Sequence, residues 1–341
     1  MRAVDPRGAL LLRAGRHPLA HEVERNLQLW CHQRHSALTD SLVAVSGGAD
    51  SMALLTIMAA LQERGSGPSR IAACCVHHHL RADADREMET VYNHCELLGV
   101  PFFRCDVHPA EEPGNLAAAA RELRYDALAE CAERERLGAV LTAHHADDQL
   151  ETVLMALCRG GTSFGVGGMR WRRRLRDDVL LMRPLLDIAK ARLVEFVQEL
   201  DVPWHHDASN DDPASARGML RTKVLPHLME RWPKAAVHVA HTAEAIDGMG
   251  NALRMMQRDE PNDGEYRFEL GGMERAIPEV LPYLIQLTQP PSARGDSRFW
   301  AEELLRNDPE ERVYDAGPDW ELRIQGGEAQ FTERAGRQDT T

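Results

Sequence analysis

The stretch Leu42–Leu55, LVAVSGGADSMALL, decides the fold. Four apolar residues (Leu42, Val43, Ala44, Val45) run into Ser46-Gly47-Gly48-Ala49-Asp50-Ser51, and an apolar helical pattern (Met52, Leu54, Leu55, Met58) begins at once. This spacing predicts a buried strand, a tight loop of small residues and a helix N-terminus. Such a junction suits an anion. Glycines let the backbone approach, amide N–H groups point outward, and the helix dipole favours negative charge. It is not a Walker loop, because GxxxxGKS/T is absent and no lysine is placed to reach terminal phosphates. It is not a dinucleotide fingerprint either, since GxGxxG is missing. Ser-Gly-Gly after a strand is also an ordinary turn, so the flanking segments must decide its meaning.

Further strands follow at a regular rhythm. Ile71–Val76 reads as a second buried strand ending at His77-His78-His79-Leu80-Arg81, Val100–Phe103 begins a third, and Ala139–Thr142 is a fourth. Between them lie an amphipathic helix, Asp85–Leu98, and an alanine-rich one, Asn115–Leu137, with Asn115 as N-cap. His21–Arg34 reads as a helix ahead of the first strand, and a helix opens at His144-His145-Ala146-Asp147-Asp148-Gln149-Leu150-Glu151-Thr152 after the fourth. Strands alternating with helices imply an α/β fold with a doubly wound parallel sheet. Ligands then sit beyond the carboxyl ends of the strands, where the Ser46 loop, the His77 segment and the His144 segment all fall.

Beyond Cys158 come a glycine-rich loop (160–168), a basic loop, the run Leu180–Leu186 and an amphipathic helix, Lys190–Leu200. A polar loop, Trp204–Asp212, precedes the segment Arg217–Trp232. We expect a catalytic domain over 1–230 and a second, mostly helical C-terminal domain over 231–334. The latter starts with a helix at Ala235–Arg258 and ends in strand-like pieces at Trp320–Ile324 and Ala329–Thr332. A disordered tail is expected over 335–341.

Composition is that of a soluble globular chain, 43% hydrophobic and 27% charged over 341 residues. No apolar run approaches the ~20 residues of a membrane span. The apolar patch Ala9–Leu12 is too short for a secretory segment, which points to the cytoplasm. Seven scattered cysteines without a CxxC pair argue against a disulfide framework and against zinc or iron–sulfur sites, and read as buried thiols in a reducing compartment. The net charge of −13 is uneven: −6 over residues 1–160, +3 over 161–234 and −10 over 235–341. The basic block holds Arg170, Arg172, Arg173, Arg174 and Arg176 together with Lys190, Lys223 and Lys234. Such a stripe can hold phosphates on an acidic protein, or can simply be solvated.

Asp50, Asp147, Asp148 and Glu151 are carboxylates at expected strand ends, the donor type that Mg²⁺ takes together with phosphate oxygens. Asp148 and Glu151, three apart at a helix start, share a face. Any one of them could instead complement a helix dipole, which explains the block as a whole poorly. His77, His78, His79, His144 and His145 lack metal-ligand spacing such as HExxH; a phosphate or base contact suits His144 better. Arg121 and Arg124 share a helix face and either clamp a phosphate or pair with surface acids; Arg217 and Arg221 pose the same choice.

Taken in order, SGGADS, HHLR (His78–Arg81), ARELRY (Ala120–Tyr125), AHHADDQLET (Ala143–Thr152) with RGG (Arg159–Gly161), RPLL (Arg183–Leu186), WHHDASNDD (Trp204–Asp212) and LRTKVLPHL (Leu220–Leu228) resemble the tRNA(Ile)-lysidine synthase family of N-type ATP pyrophosphatases. The resemblance covers about residues 40–230 and suits the short form of the family, with an adenine nucleotide α-hydrolase-like sheet. It implies a ligase that uses ATP to adenylate O2 of the wobble cytidine of an isoleucine tRNA with a CAU anticodon. The ε-amine of free L-lysine then attacks C2 and AMP leaves.

The resemblance implies roles residue by residue. Ser46, Gly47, Gly48, Ala49, Asp50 and Ser51 would bind ATP, and Asp50 and Asp148 would hold Mg²⁺. Asp50, His144, Asp148, Glu151, Arg124 and Arg217 would form the catalytic set. Arg121, Arg172, Arg173, Arg174, Arg221 and Lys223 would contact tRNA, with the domain from about residue 230. A homodimer stays open. Two departures stand out: Arg217-Gly218-Met219-Leu220-Arg221 replaces the family's RNxIR, losing its asparagine, and Ala117–Ala120 take the place of a usual glutamate. The nearest rival is a related enzyme that inserts sulfur into cytidine, but those relatives use a cysteine pair that this chain lacks. A non-catalytic module binding ATP and RNA is the other alternative.

Overall fold

The computed structural model describes residues 5–32, 40–79, 84–111, 116–161, 166–176, 178–205, 215–256, 266–269, 299–300, 303, 309–317, 319–325 and 328–333. The chain divides into two compact units, Met1–Arg159 with Gly168–Glu244 and Gly160–Gly167 with Ala245–Thr341.

In the first unit, strands β1 (Ser41–Ala44), β2 (Ile71–His77), β3 (Phe102–Asp106), β4 (Ala139–Leu141), β5 (Arg172–Arg176) and β6 (Val179–Met182) form one sheet ordered β3-β2-β1-β4-β6-β5. All neighbours are parallel except β5, which pairs antiparallel with β6. The basic segment expected as a loop is therefore largely this edge strand. The physical reason is its hairpin with β6, which satisfies the backbone groups of one side while arginine side chains keep the edge wet.

The helices are α1 (Pro6–Arg16), α2 (Pro18–His32), α3 (Ala49–Glu63), α4 (Ala84–Leu98), α5 (Leu116–Arg134), α6 (Ala146–Cys158), α7 (Lys190–Glu199), α8 (Ala216–Met219), α9 (Leu225–Arg231) and α10 (Ala235–Met256). A π turn, Leu220–Val224, joins α8 to α9. Sequence reading missed α1, although its signals are present: Asp5 caps the Arg7 amide and Pro6 opens the helix. The expected N-cap Asn115 lies outside the described residues.

Both sheet faces are covered, as a parallel sheet requires. Alternation along each strand sends Val43, Ile71, Ala73, Ala139 and Leu141 toward α1–α4 and α7. Leu42, Ala72, Cys74 and Val140 point toward Tyr125, Leu128, Cys131 and Ala132 of α5. Helix α3 is buried almost all round, from Ser51 through Leu61, because α1, α2 and α7 wrap the side the sheet leaves open. Of the described cysteines, Cys74, Cys75, Cys95 and Cys131 are buried as expected, whereas Cys158 is exposed.

The first unit extends past residue 230, since Ala236 and Ala240 of α10 pack on Ala146, Leu150 and Leu225. In the second unit, β7 (Tyr266–Glu269), β8 (Arg312–Asp315), β9 (Trp320–Gln325) and β10 (Glu328–Glu333) form an antiparallel sheet ordered β7-β10-β9-β8. The two strand pieces anticipated near the C-terminus are β9 and β10. The tail at 335–341 and residues 270–298, on which the helical expectation for this unit bears, lie outside the described residues. No helix among the described residues is long and apolar enough to cross a membrane.

Because Leu54 has no exposed surface in the centre of α3, Leu54→Ala should cost about 2–5 kcal/mol. We expect a lower urea midpoint with the far-ultraviolet dichroism of the folded state retained.

Candidate active site at the carboxyl edge of the sheet

The sheet changes direction at β1, whose neighbours β2 and β4 are connected to opposite sides, so a crevice opens beyond the β1 and β4 ends. One wall is the loop between β1 and α3. Gly47 adopts φ +83°, a left-handed conformation that glycine takes without strain. Its carbonyl accepts from the His205 amide at 2.9 Å, and His205 Nε2 lies 2.7 Å from Thr90 Oγ1 on α4. Ser51 Oγ accepts from the Ser46 amide at 3.1 Å and donates to the Gly48 carbonyl at 3.0 Å. Gly48 offers no side-chain cap to α3. The first amides of α3 are thus left to an anion, in a loop already tied by its own serine.

The opposite wall is the β4–α6 junction. His145 is the N-cap of α6. Its Nδ1 accepts from the Asp148 amide at 3.3 Å and its own amide donates to Asp148 Oδ2 at 3.2 Å, a reciprocal cap. The ring is 3% exposed and reaches across the crevice. Its Nε2 is 3.5 Å from Asp50 Oδ2 and 3.4 Å from Asp148 Oδ2, with Asp147 Oδ2 at 3.8 Å from Nδ1. Burial alone would lower this histidine, but Asp148, Asp50 and Asp147 overcome it and push it up to about 9. The cap bond is long and is the weaker claim on Nδ1. Asp50 Oδ1 is buried without a partner. Two converging carboxylates, one with an orphaned oxygen, and a cationic ring drawn between them mark a place that accepts a cation with oxygen ligands, and Mg²⁺ fits that donor set.

His144 behaves oppositely. Burial pushes it down to about 3, with Arg183, Arg124 and Arg121 reinforcing and Asp148 opposing. It is neutral, and its Nδ1 lies 2.9 Å from Thr142 Oγ1. Glu151 is buried and held in a bidentate pair by Arg221, Nε to Oε1 at 2.8 Å and Nη2 to Oε2 at 2.9 Å. Arg221 Nη2 also reaches Asp148 Oδ1 at 3.4 Å. Desolvation raises the Glu151 carboxyl although Arg221 opposes it. Arg217 is exposed and donates to Thr152 Oγ1 at 3.3 Å. Gly218 is buried and its amide caps onto Ser215 Oγ.

The structure thus brings Asp50, His144, Asp148 and Glu151 together with the Ser46 loop. Asp147 is shared: its Oδ2, 3.8 Å from His145 Nδ1, accepts the Lys190 amide at 2.9 Å and so caps α7. Arg221, assigned by resemblance to tRNA, is engaged with Glu151. Arg124 and Arg121 lie over the Tyr125 ring, and Arg172, Arg173 and Arg174 lie on β5, with Lys223 exposed on the π turn. Sequence reading missed the bridging role of His145, although a residue before Ala146-Asp147-Asp148 stands where an N-cap must. It also missed Gln149, which clamps Met169 through its amide (2.7 Å) and carbonyl (2.9 Å). That clamp explains Gly168, at φ +62°, where a Cβ would lie 2.6 Å from Gln149 Oε1. Cys74 of β2, Cys105 of β3 and Cys131 of α5, far apart in sequence, cluster between the sheet and α5, and His77, His79 and Asp106 gather at the ends of β2 and β3.

Comparison with known proteins is consistent with this geometry. The PP-loop domain model matches residues 19–228. The tRNA(Ile)-lysidine synthase of Bradyrhizobium diazoefficiens is 36% identical over 251 residues, 70% of this chain and 69% of that protein. The chain belongs to the PP-loop family, among its tRNA(Ile)-lysidine synthases. Synthases of the same name from Nostoc sp. (37% identity, 60% of this chain, 59% of that protein) and Pseudomonas syringae pv. tomato (40%, 59% and 44%) agree. The chain spans about half to two-thirds of the length of these relatives. Among solved structures, a U34-tRNA thiolase from Methanococcus maripaludis with a [4Fe-4S] cluster superposes with TM-score 0.54 at 15% identity, over 66% of this chain and 78% of that one. At that identity the likeness supports the fold alone.

Removing Arg221 strands a buried carboxylate. Arg221→Ala should destabilise the chain by about 3 kcal/mol, read as a fall in the urea midpoint, and Glu151→Gln in the same background should recover part of the loss.

Proposed function

We propose that the chain is a tRNA(Ile)-lysidine synthase, an ATP-dependent carbon–nitrogen ligase working on the wobble cytidine of an isoleucine tRNA with a CAU anticodon. The observation that carries this reading is the convergence of Asp50 and Asp148 on His145, which joins the anion loop and the α6 junction into one crevice. The names of the relatives favour ligation over thiolation.

In this reading the uncapped amides of α3 and the Ser46 loop receive the ATP phosphates, where dipole and N–H groups meet developing charge without reorganisation. Asp50 and Asp148 would hold Mg²⁺, which when bound supplies charge neutralisation at the phosphates. Cytidine O2 attacks the α-phosphorus and pyrophosphate leaves. The uncharged ε-amine of lysine then attacks C2, AMP departs with O2, and the amine proton is lost to solvent or a base. The chemistry needs this order, because a pyrimidine carbonyl oxygen leaves poorly and AMP leaves well. Neutral His144, its basicity lowered by burial and by the arginines, would accept a hydrogen bond. The acidic groups at the edge favour approach of the lysine cation. Arg217, exposed and bonded to Thr152 Oγ1, would exchange that bond for a phosphate oxygen. A homodimer stays open, and the expected compartment is the cytoplasm, where tRNA is modified.

The test is lysine-dependent AMP release on an unmodified isoleucine tRNA transcript carrying C or U at the wobble position. We expect AMP and lysine incorporation with C alone. Asp50→Ala and Asp148→Ala should each abolish AMP formation, and near-normal turnover in either variant would refute the assignment.

A further inference from the structure

His77 and Asp106 stand opposite each other in the register of β2 and β3. The Val107 amide donates to the His77 carbonyl at 2.9 Å, so the two strand ends are tied. Beyond β2 the chain turns at His79, whose φ of +54° is a left-handed conformation that costs a residue with a side chain some strain. The turn brings the His79 ring back to Asp106, with Nε2 2.8 Å from Oδ1. The same ring meets His77 edge-on, centroids 4.2 Å apart. One donor atom each of His77, His79 and Asp106 lies within 4.8 Å of the other two. His77 is buried, and its Nε2 has no hydrogen-bond partner. Two of these donors lie along β2 and its turn, but the third comes from across the sheet, which is why spacing along the chain shows no metal motif.

We propose that His77, His79 and Asp106 bind one divalent transition-metal ion, with zinc as the type, at the ends of β2 and β3 and apart from the crevice at β1 and β4. Two imidazoles and one carboxylate are the donor set of open zinc and non-haem iron centres. Two ligands about 2.0–2.2 Å from one ion stand about 3 Å apart, the spacing that His79 Nε2 and Asp106 Oδ1 already have. His77 Nδ1, 4.0 Å from Asp106 Oδ1, faces the same point; it accepts the His79 amide at 3.3 Å, a long bond that an ion would replace. The outer partners suit a ligand set. Arg104 Nε donates to Asp106 Oδ1 and Oδ2 at 2.9 and 3.0 Å and its Nη2 to Oδ1 at 2.7 Å, fixing the carboxylate while leaving it lone pairs. Asp85 of α4 sets Oδ1 3.6 Å from His77 Nε2 and 3.4 Å from Arg104 Nη1. A carboxylate behind the second nitrogen of a histidine fixes its tautomer and makes it a better ligand. Within this group two carboxylates face one guanidinium, which leaves net negative charge for a cation. Burial lowers His77, with His79 and Arg104 adding and Asp85 and Asp106 opposing, and Arg104 and His79 hold Asp106 below the usual carboxylate range against burial. Neutral imidazole and ionised carboxylate are the forms that take a metal. His108 stacks on His79, centroids 4.7 Å apart, and steadies its plane. Asp106 and His79 are exposed, so an ion can enter from solvent and keep water on its open positions.

The inference stands apart from the function proposed above, since its test needs neither RNA nor lysine. The full chain, stripped with a chelator, would be titrated with Co²⁺ in excess Mg²⁺ and followed by visible d–d absorption, then challenged with Zn²⁺. Excess Mg²⁺ keeps the crevice out of the reading. We expect one cobalt ion per chain, displaced by Zn²⁺ and not by Mg²⁺. Asp106→Asn and His79→Gly should each weaken binding by at least about tenfold, and Asp85→Asn by about tenfold. His79→Gly also relieves the left-handed turn, so its urea midpoint should not fall and weaker binding cannot be laid to unfolding. Asp50→Ala, which alters the crevice alone, should keep the cobalt band. Three results would each overturn the proposal: no uptake from an equimolar cobalt solution, unchanged affinity in His79→Gly and Asp106→Asn, or loss of the band in Asp50→Ala. A spectrum dominated by thiolate-to-cobalt charge transfer would overturn it too, by placing the ion at Cys74, Cys105 and Cys131 instead.

Discussion

The crevice depends on one buried imidazole. His145 ends β4, caps α6 and bridges Asp50 of α3 to Asp148 of its own helix. Without it, two carboxylates would face each other across the crevice and repel. With it, the β1–α3 and β4–α6 junctions, about 100 residues apart in the chain, are held together by charge. Such buried polar bridges favour one arrangement strongly, since any slip leaves an uncompensated charge. The same ring shows how the site accepts a cation: the carboxylates already draw positive charge into the gap.

That bridge can form only because the elements beneath it are rigid. Helix α3 is apolar on every side and packed between the sheet and the helices α1, α2 and α7. Its first turn is therefore fixed in position without any cap of its own. The loop before it spends Ser51 on Ser46 and Gly48, leaving the helix amides for a ligand. Stability comes from burial far from the edge, and the edge is free to carry unmet hydrogen-bonding groups. This division explains how a site with an orphaned Asp50 oxygen can persist.

Much of this was legible in the sequence. LVAVSGGADSMALL yields strand, loop and buried helix by hydrophobic run and small residues alone, and the alternation of elements yields the parallel sheet and the edge on which polar clusters meet. What was not legible depends on neighbours that sequence spacing does not reveal. The arginine run at 170–176 reads as a solvated loop because its pairing partner, β6, lies across a turn. Asp147 reads as one more site carboxylate, yet its acceptor goes to the Lys190 amide, 43 residues away. His145 looks interchangeable with His144, but one sits among carboxylates and the other among arginines. Their protonation therefore diverges through surroundings rather than through type.

The acidic balance of the chain, −13 overall, raises the question of how it could hold a polyanion. Pairing answers it. Arg7 meets Glu63, Arg104 meets Asp106, Arg176 meets three acids and Arg221 meets Glu151. Each of these pairs removes a cation from the field that a polyanion would feel. By contrast, no ion pair is formed among the described residues by Arg121, Arg124 or Arg173, whose guanidinium groups lie over the Tyr125 ring. An acidic surface repels nucleic acid everywhere except where positive charge is left uncompensated. In the proposed function the surplus of acid would sharpen placement, lowering non-specific affinity and leaving attraction where cations lack acidic partners.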